Sequence, residues 1–283
     1  MSILQTLCCF GALLACGCAV SGLGARGARV AVIAHRGASA DAPENTLAAF
    51  RLAREAGADW FELDCMLTAD GEVIVIHDGK VDRTTNGKGE VAGMTLADLR
   101  KLDAGSWKDA RWAGERLPTL EEALSVAGGP TGVYIEIKAR EDSAAARAAG
   151  LALAEKTVAL VRARGMARQV VVQSFSAQCC AAVKRLAPEL RVEFLAGCKP
   201  DEEDKWRAAC RAVEAFALEG LNLSAEGFTP ERLAEVHAGG RTMAVWTVDE
   251  PAEMRALAAH GVNAIITNRP ADCLAVLGEM GAR

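Results

Sequence analysis

The chain has 283 residues, of which 51% are hydrophobic and 24% charged, and its formal net charge is −5. This composition allows a sizeable core and argues against bulk disorder. The lack of a long basic run argues against nucleic acid as a partner. Beyond the N-terminal segment, no apolar stretch is long enough to span a bilayer.

Residues 1–25 form an apolar leader in which no residue is charged. The segment ends in small residues such as Ala19–Ser21, which suit signal-peptide cleavage. Leu13–Cys16 resembles a lipobox, where Cys16 would become a lipidated N-terminus. We therefore expect an exported protein, periplasmic, extracellular or lipid-anchored, with membrane contact only through an anchor at Cys16. The usual positive start is missing, so a cytoplasmic protein with a misassigned start codon or an apolar tail stays open as an alternative.

Short apolar runs recur along the rest of the chain. Most lack polar–apolar alternation, as expected for strands covered on both faces. Nine strands are predicted, at 30–34, 60–64, 73–77, 133–137, 170–175, 192–196, 217–224, 243–248 and 263–267.

Helical patterns separate most of these strands, at 46–56, 119–127, 144–164, 176–187, 201–214, 229–238 and 251–260. Thr119 and Glu122 have the spacing of a capping box. Repeated βα units predict a parallel sheet, and 29–283 is expected to form one (βα)8 TIM barrel. A doubly wound sheet fits less well because no dinucleotide-type glycine-rich turn follows the first strand. Since nine candidates exceed eight, one strand is expected to be irregular or outside the ring.

Two segments interrupt the alternation. Residues 65–72 are too few for a helix, so a loop around Asp70-Gly71 is predicted to return the chain. The segment of about 79–118 is polar and rich in turns, and loops of this length are usually functional or carry their own structure. It is predicted to be a small insertion between the third strand and the following helix, with one short helix from about Leu96 to Lys101, lying over one end of the barrel.

Polar residues collect at the carboxyl ends of the predicted strands. In a parallel barrel these ends share one face, where catalytic groups gather. An active site is therefore expected at this mouth. The polar residues in question are His35, Arg36, Glu62, Asp64, His77, Asp78, Glu136, Lys138, Gln173, Ser174, Trp246 and Thr247.

Three of these residues are carboxylates expected to converge. Glu62 and Asp64 are two apart on one strand and so point the same way, and Glu136 is similarly placed on another, with Lys138 two beyond it. Such carboxylates repel one another unless a cation or protons intervene. Oxygen-only ligands favour Mg²⁺ or Ca²⁺ over Zn²⁺. The alternatives are a strand edge that binds backbone amides and a simple Glu136–Lys138 ion pair.

Two histidines lie beside this cluster. His35 and His77 suit general acid and general base chemistry, while Arg36 and Lys138 suit an anion such as phosphate. The alternatives are structural histidines and an Arg36 that only clamps a neighbouring carboxylate. Two of the chain's four histidines at such strand ends favour a site. The other two are expected at the surface near helix ends, namely His237 and His260.

The sequence resembles the glycerophosphodiester phosphodiesterase family, of the PLC-like phosphodiesterase barrel type. The matching stretches follow one another in order from about Ala31 to the end of the chain. They include "HRGAS", "APENTLAAF", "FELDCMLTADGEVIVIHD", "YIEIK", "QSF", "WTVDE" and "GVNAIITNRP". The predicted insertion corresponds to the small extra domain of that family.

The resemblance implies a role for each matching residue. His35 and His77 would be the acid/base pair, and a divalent metal would be held by Glu62, Asp64 and Glu136. Arg36 and Lys138 would bind the phosphate. Glu44 would support the site, and Trp246 would line the pocket. Three positions depart from the family pattern. They are Asn268, where the family often has Asp; Asn263-Ala264, in place of a common Asp-Gly; and Cys65, in place of an aliphatic residue. The first two concern the C-terminal rim and substrate choice.

The expected activity is metal-dependent hydrolysis of small-molecule glycerophosphodiesters to an alcohol and sn-glycerol 3-phosphate. The resemblance implies attack of the glycerol 2-hydroxyl on phosphorus and a cyclic phosphate that water opens. One alternative is a phospholipase C- or D-like enzyme of the same barrel acting on intact lipids; an aromatic content of 5% argues against the apolar rim it would need. Another is a non-catalytic phosphate-ester-binding lipoprotein, which would not need an acid/base pair.

Overall fold

Eight parallel strands close into a barrel in the part of the chain that the computed structural model describes, residues 29–139 and 141–283. The predicted leader and Cys16 lie outside the described residues. The ring closes because β1 pairs with strands on both sides, Ile33 with Trp60 and Ile33 with Ile266. In ring order the strands are β1 (Ala31–Ala34), β2 (Trp60–Leu67), β4 (Gly132–Ile137), β5 (Val170–Ser174), β6 (Arg191–Ala196), β7 (Gly220–Ser224), β8 (Thr242–Trp246) and β9 (Ala264–Thr267). The predicted (βα)8 TIM barrel is confirmed.

Helices cover the outside of the barrel. Thr119 and Glu122 form the predicted capping box at the start of α3 (Leu120–Leu124), and Gly261 ends α8 (Pro251–His260) in the left-handed region with φ 86°. The last helix was not among those predicted; it begins at Pro270 and buries Cys273, Val276 and Leu277. The helices are α1 (Leu47–Ala56), α2 (Leu96–Leu99), α3 (Leu120–Leu124), α4 (Ala144–Ala163), α5 (Ala177–Leu186), α6 (Glu203–Ala215), α7 (Pro230–Ala238), α8 (Pro251–His260) and α9 (Pro270–Glu279).

The third strand, β3 (Val73–Val75), lies outside the ring and runs antiparallel to the end of β2. The predicted loop around Asp70-Gly71 is present as a turn, but the strand before it is longer than the predicted 60–64, because β2 continues to Leu67 and its last backbone groups pair with β3. A turn closed by the hydrogen bond from the Thr68 amide to the Glu72 carbonyl, at 3.0 Å, joins the two strands. This hairpin folds the chain back over the carboxyl end of β2.

The segment between β3 and α3 has a small core of its own, made by Ile74, Ile76, Val81, Val91, Leu99, Ala104 and Leu117. Its helix α2 is shorter than predicted and begins after Thr95, whose side chain caps it. Lys108 donates to the Ser39 carbonyl at 2.7 Å, and Arg111 donates to the Asp41 carbonyl at 3.0 Å. These bonds hold the segment against the loop that follows β1, at the carboxyl end of the barrel.

The main core lies between the barrel and its helices, and a second apolar cluster that includes Ile33, Tyr134 and Ile266 lies inside the barrel. The six cysteines among the described residues are unpaired, and all but Cys210 are buried. His237 and His260 are exposed, as predicted. Within the described ranges, no helix combines the length and apolar character needed to cross a membrane.

Candidate active site

Three carboxylates converge inside the mouth of the barrel. Asp64 of β2 lies in register with Glu136 of β4, so both side chains point to the barrel interior, and Glu62 is two residues earlier on the same face. One oxygen from each lies within 4.8 Å of the others, and all three residues are buried. The predicted convergence is therefore present in the structure.

The electrostatics of the cluster fit a cation. Burial and the charges of Asp64 and Glu136 raise the pKa of Glu62 well above its usual range. Burial and Asp64 raise the pKa of Glu136 to about 7. Burial would also raise the pKa of Asp64, but the positive charges of Lys138 and Arg36 lower it to about 2. Repulsion of this kind is relieved by a bound divalent cation, and the all-oxygen donor set suits a hard one.

Two basic side chains lie against these carboxylates. Lys138 Nζ is 2.8 Å from Glu136 Oε1 and 3.4 Å from Asp64 Oδ1. Arg36 Nε is 3.5 Å from Asp64 Oδ2 and is buried without a hydrogen-bond partner. The backbone amide of Arg36, in the left-handed region at φ 56°, donates to Glu62 Oε2 at 2.9 Å. Both residues thus make the carboxylate contacts of the simpler alternatives, and both also line the mouth of the barrel.

His35 follows β1 and lies half-buried at the mouth. Its Nδ1 lies 2.8 Å from Asn268 Oδ1, and the Asn268 amide nitrogen donates to Asp249 at 2.6 Å. This orientation assigns the proton to Nδ1 and leaves a lone pair on Nε2. Burial, helped by the charge of Arg36, lowers the pKa of His35 to about 4. The imidazole is therefore neutral at physiological pH and is suited to accept a proton.

His77 has a different partner. Its Nδ1 lies 2.6 Å from Asp78 Oδ1, and Arg83 Nε donates to the other carboxylate oxygen at 2.6 Å. That hydrogen bond is the main reason why the pKa of Asp78 lies below its usual range. The Asp78 carboxylate engages Nδ1, fixes the orientation of the ring and leaves Nε2 as its free nitrogen. His77 is therefore suited to donate a proton from Nε2.

Glu44 joins the mouth to the β3–α3 segment. It accepts from Arg36 at 2.7 Å and, through both oxygens, from Arg83 at 2.8 Å. Sequence reasoning missed Arg83, which lies in the polar segment with no pattern to single it out. It also missed Asn45, whose side chain donates to Asp64 Oδ2 at 2.8 Å and accepts from the Asp64 amide at 3.2 Å. The Pro43–Thr46 turn was the available signal for Asn45.

Trp246 lies at the end of β8, and its indole nitrogen donates to the Asn222 carbonyl at 3.0 Å. The ring of Phe175, itself 46% exposed, packs edge-to-face on Trp246 with 5.7 Å between centroids. Together with predicted site residues they enclose a cavity of about 200 Å³. Those residues are His35, Arg36, Glu62, His77, Glu136 and Lys138. Asp64 and Glu44 are not part of the cavity lining.

A parallel (βα)8 barrel with histidines, carboxylates and basic side chains at the carboxyl ends of its strands has the architecture of the barrel enzymes, whose active sites lie at that face. The model of the glycerophosphoryl diester phosphodiesterase family matches residues 35–272. The chain belongs to this family, whose members are hydrolases.

Similar proteins support the same assignment. The chain is 39% identical over 244 residues to a glycerophosphodiester phosphodiesterase of Caldanaerobacter subterraneus, a match that covers 84% of this chain and 94% of that protein. It shares 33% sequence identity with a glycerophosphodiester phosphodiesterase from Agrobacterium tumefaciens. The crystal structure of that protein superposes on this one with a TM-score of 0.72, over 87% of this chain and 99% of that one.

A third similar protein is a phosphodiesterase from Oleispira antarctica, whose structure was solved in complex with the product sn-glycerol-3-phosphate. It shares 27% sequence identity with this chain, and the TM-score is 0.78 over 88% of this chain and 97% of that one.

Proposed function

We propose that this protein hydrolyses glycerophosphodiesters to an alcohol and sn-glycerol 3-phosphate. The observation that carries the proposal is the pairing of two unlike histidines across one cavity. His35 is held neutral by burial beside an amide, and His77 is held against an ionised carboxylate. An acid and a base of this kind are what the two proton transfers of the reaction need. Membership of the family supports the same activity.

The proposal includes a divalent cation, Mg²⁺ or Ca²⁺. Glu62, Asp64 and Glu136 would hold it, since their oxygens are close together and buried. Bound there, the cation would polarise the phosphoryl oxygens and stabilise the negative charge that develops on them.

The residues of the chain then divide the work. His35 Nε2 takes the proton of the glycerol 2-hydroxyl as that oxygen attacks phosphorus. The bond from phosphorus to the leaving oxygen breaks, and His77 Nε2 donates a proton to the departing alcohol. A cyclic phosphate remains. In the second half, His77 takes a proton from water as the water oxygen attacks phosphorus, the bond from phosphorus to the glycerol 2-oxygen breaks, and His35 returns its proton to that oxygen. Arg36 and Lys138 orient the phosphate throughout.

Turnover of glycerophosphocholine tests this proposal. Choline and glycerol 3-phosphate should appear in equal amounts, EDTA should stop their release, and adding back Mg²⁺ or Ca²⁺ should restore it. The variant His35→Ala is the matched inactive control. Binding of glycerophosphocholine without turnover under any of these conditions would favour the phosphate-ester-binding lipoprotein instead.

Export is proposed from the sequence of the leader alone. Residues 1–25 would be removed, or Cys16 would carry lipid at the new N-terminus. The intact mass of the protein from its native host tests both outcomes. An unprocessed N-terminus on a cytoplasmic protein would overturn this proposal.

A further inference from the structure

A second cavity, of about 590 Å³, adjoins the first one on the outside of the barrel mouth. Its walls are mainly apolar and come from separate parts of the fold: Leu67 at the end of β2, Val91 in the β3–α3 segment, Ala149 and Leu153 on α4, and Phe175 after β5. We call this cavity the α4 groove. Its size lies within the range of ligand pockets, about 300–1,000 Å³.

The α4 groove is continuous with the candidate active site. Glu136, Lys138 and Phe175 line both cavities. Phe175 leaves 46% of its surface exposed here, one of few large apolar side chains to do so among the described residues. Exposed apolar surface beside a polar site usually marks a place that a ligand covers. A phosphate held near Lys138 would therefore have one substituent next to this groove.

The groove opens on the side of His77. Gly79, two residues after His77, lines it together with Glu90 and Val91. Both histidines line only the smaller cavity, but no residue within two positions of His35 in the chain lines the groove. In the proposed reaction His77 protonates the departing alcohol, so the alcohol is the part of the substrate that lies toward the groove.

We propose that the α4 groove binds an alkyl or acyl chain carried by the leaving alcohol. The preferred substrates would then be glycerophosphodiesters of single-chain amphiphilic alcohols. This inference rests on the proposed function and leaves its bond changes the same: the phosphorus–oxygen bond to the chain-bearing alcohol breaks, and that oxygen gains a proton. The cavity of about 200 Å³ is left for the phosphoglycerol end, which is too small for a chain on the glycerol as well.

The test compares kcat/KM for glycerophosphodiesters of methanol, butanol and octanol, all with Mg²⁺ or Ca²⁺ present. Each methylene that the groove buries should raise kcat/KM by about two- to fourfold, because burial of one methylene favours binding by up to about that factor. 1-Acyl-lysophosphatidylcholine, which carries its chain on the glycerol, should be a poorer substrate than the octyl ester. If it is the better one, the assignment of the chain to the alcohol is wrong.

Matched variants of α4 connect the effect to the groove. Ala149→Gln places a longer polar side chain in the groove, and Ala148→Gln makes the same change at an exposed neighbour that does not line it. The ratio of kcat/KM for the octyl and methyl esters should fall at least tenfold in the first variant and stay at the wild-type value in the second. Ala92→Gln should repeat the fall from the opposite wall.

The two proposals fail in different ways. If no ester of the series is cleaved, the proposed hydrolytic function fails, and the chain inference fails with it. If the methyl ester is cleaved but kcat/KM does not depend on chain length, or if both Gln variants of α4 act alike, only the chain inference is overturned.

Discussion

Asn268 Oδ1 accepts a hydrogen bond from His35 Nδ1 at 2.8 Å, although 233 residues separate the two in the chain. Asp249 accepts from the Asn268 amide nitrogen at 2.6 Å, so the amide oxygen must face the imidazole. Because an amide brings no negative charge, the pKa of His35 stays low, at about 4, since burial and Arg36 outweigh the opposing effects of Asp64, the Asn268 hydrogen bond and Glu44. An amide rather than a carboxylate at position 268 therefore has a physical consequence for the imidazole.

Exchanging the two partners should move the pH profile. In the double variant Asn268→Asp/Asp249→Asn, the carboxylate faces His35 and the total charge is unchanged. A negative charge at Nδ1 favours the imidazolium and raises the pKa of His35. Since the base works only when neutral, the acid limb of the profile of kcat/KM, expected near pH 4 in the parent, should shift upward by at least one unit. The assay is glycerophosphocholine turnover from pH 3.5 to 8.

Asn263→Asp is the matched control for this exchange. Asn263 lies before the amino end of β9, where it bonds to the exposed His237. Its variant should keep the parent profile. An unchanged acid limb in the double variant would mean that His35 is not the group that titrates in catalysis.

Neutralising different members of the carboxylate cluster should change the thermal stability of the metal-free protein in opposite directions. In EDTA, Glu136→Gln should raise Tm by a few degrees, because it removes a repelled charge, and one kcal/mol corresponds to about 2–4 °C in a chain of this size. Asp64→Asn should lower Tm, since Asp64 is bonded to Asn45 and paired with Lys138. Both variants should bind Mg²⁺ or Ca²⁺ more weakly. Calorimetry measures both quantities; equal Tm changes or unaltered cation affinity would contradict the assignment.

The metal-free protein should lose stability as the pH rises. The pKa of Glu136 is about 7 in the folded protein against an ordinary value of 4.5. Between these values the folded state binds more protons than the unfolded state, so the free energy of unfolding falls with increasing pH. Because His35, with a pKa of about 4 against an ordinary 6.5, contributes in the opposite direction at lower pH, denaturant unfolding in EDTA should be compared at pH 6.5 and pH 7.5, where the parent protein should show this fall. The fall should be smaller in Glu136→Gln, and saturating Mg²⁺ or Ca²⁺ should reduce it in the parent.

The two histidines should be separable by the leaving group. His35→Ala and His77→Ala should each lower kcat for glycerophosphocholine by about 10²–10⁴-fold, the usual contribution of a positioned acid or base. The double variant should be little worse than either single one, because both act in one proton-transfer step. A glycerophospho-nitrophenyl ester needs no general acid, so it should restore turnover to His77→Ala and not to His35→Ala. Rescue of His35→Ala instead would reverse the roles.

Arg83 should affect the rate from outside the cavity. It donates to Asp78, which orients His77, and to Glu44, which contacts Arg36. Arg83→Gln should therefore lower kcat by about tenfold while changing KM less, since about 1.4 kcal/mol of lost positioning has that effect on a barrier. Lys88→Gln, an exposed cation in the same segment, is the control. If the two variants behave alike, Arg83 only stabilises the segment.

Local sequence patterns determined most of the barrel. Strands buried on both faces are continuously apolar, and the capping residues at Thr119 mark where a helix begins, so both could be predicted from neighbours in the chain. The same patterns placed Glu62, Asp64 and Glu136 together, because inward-facing side chains recur every second residue and the carboxyl ends of parallel strands share one face.

Only the tertiary structure decided how β3 and the long polar segment meet the mouth. The three residues of β3 could not be distinguished by sequence from a barrel strand, because its antiparallel place depends on backbone groups at the end of β2. Arg83, Asn45 and Asn268 contact site residues through loops, and nothing in their spacing indicates which side chain each will meet. The strand pattern is set by burial along the chain, whereas these contacts are set by loops closing in three dimensions, so the histidines' different partners became visible only in the fold.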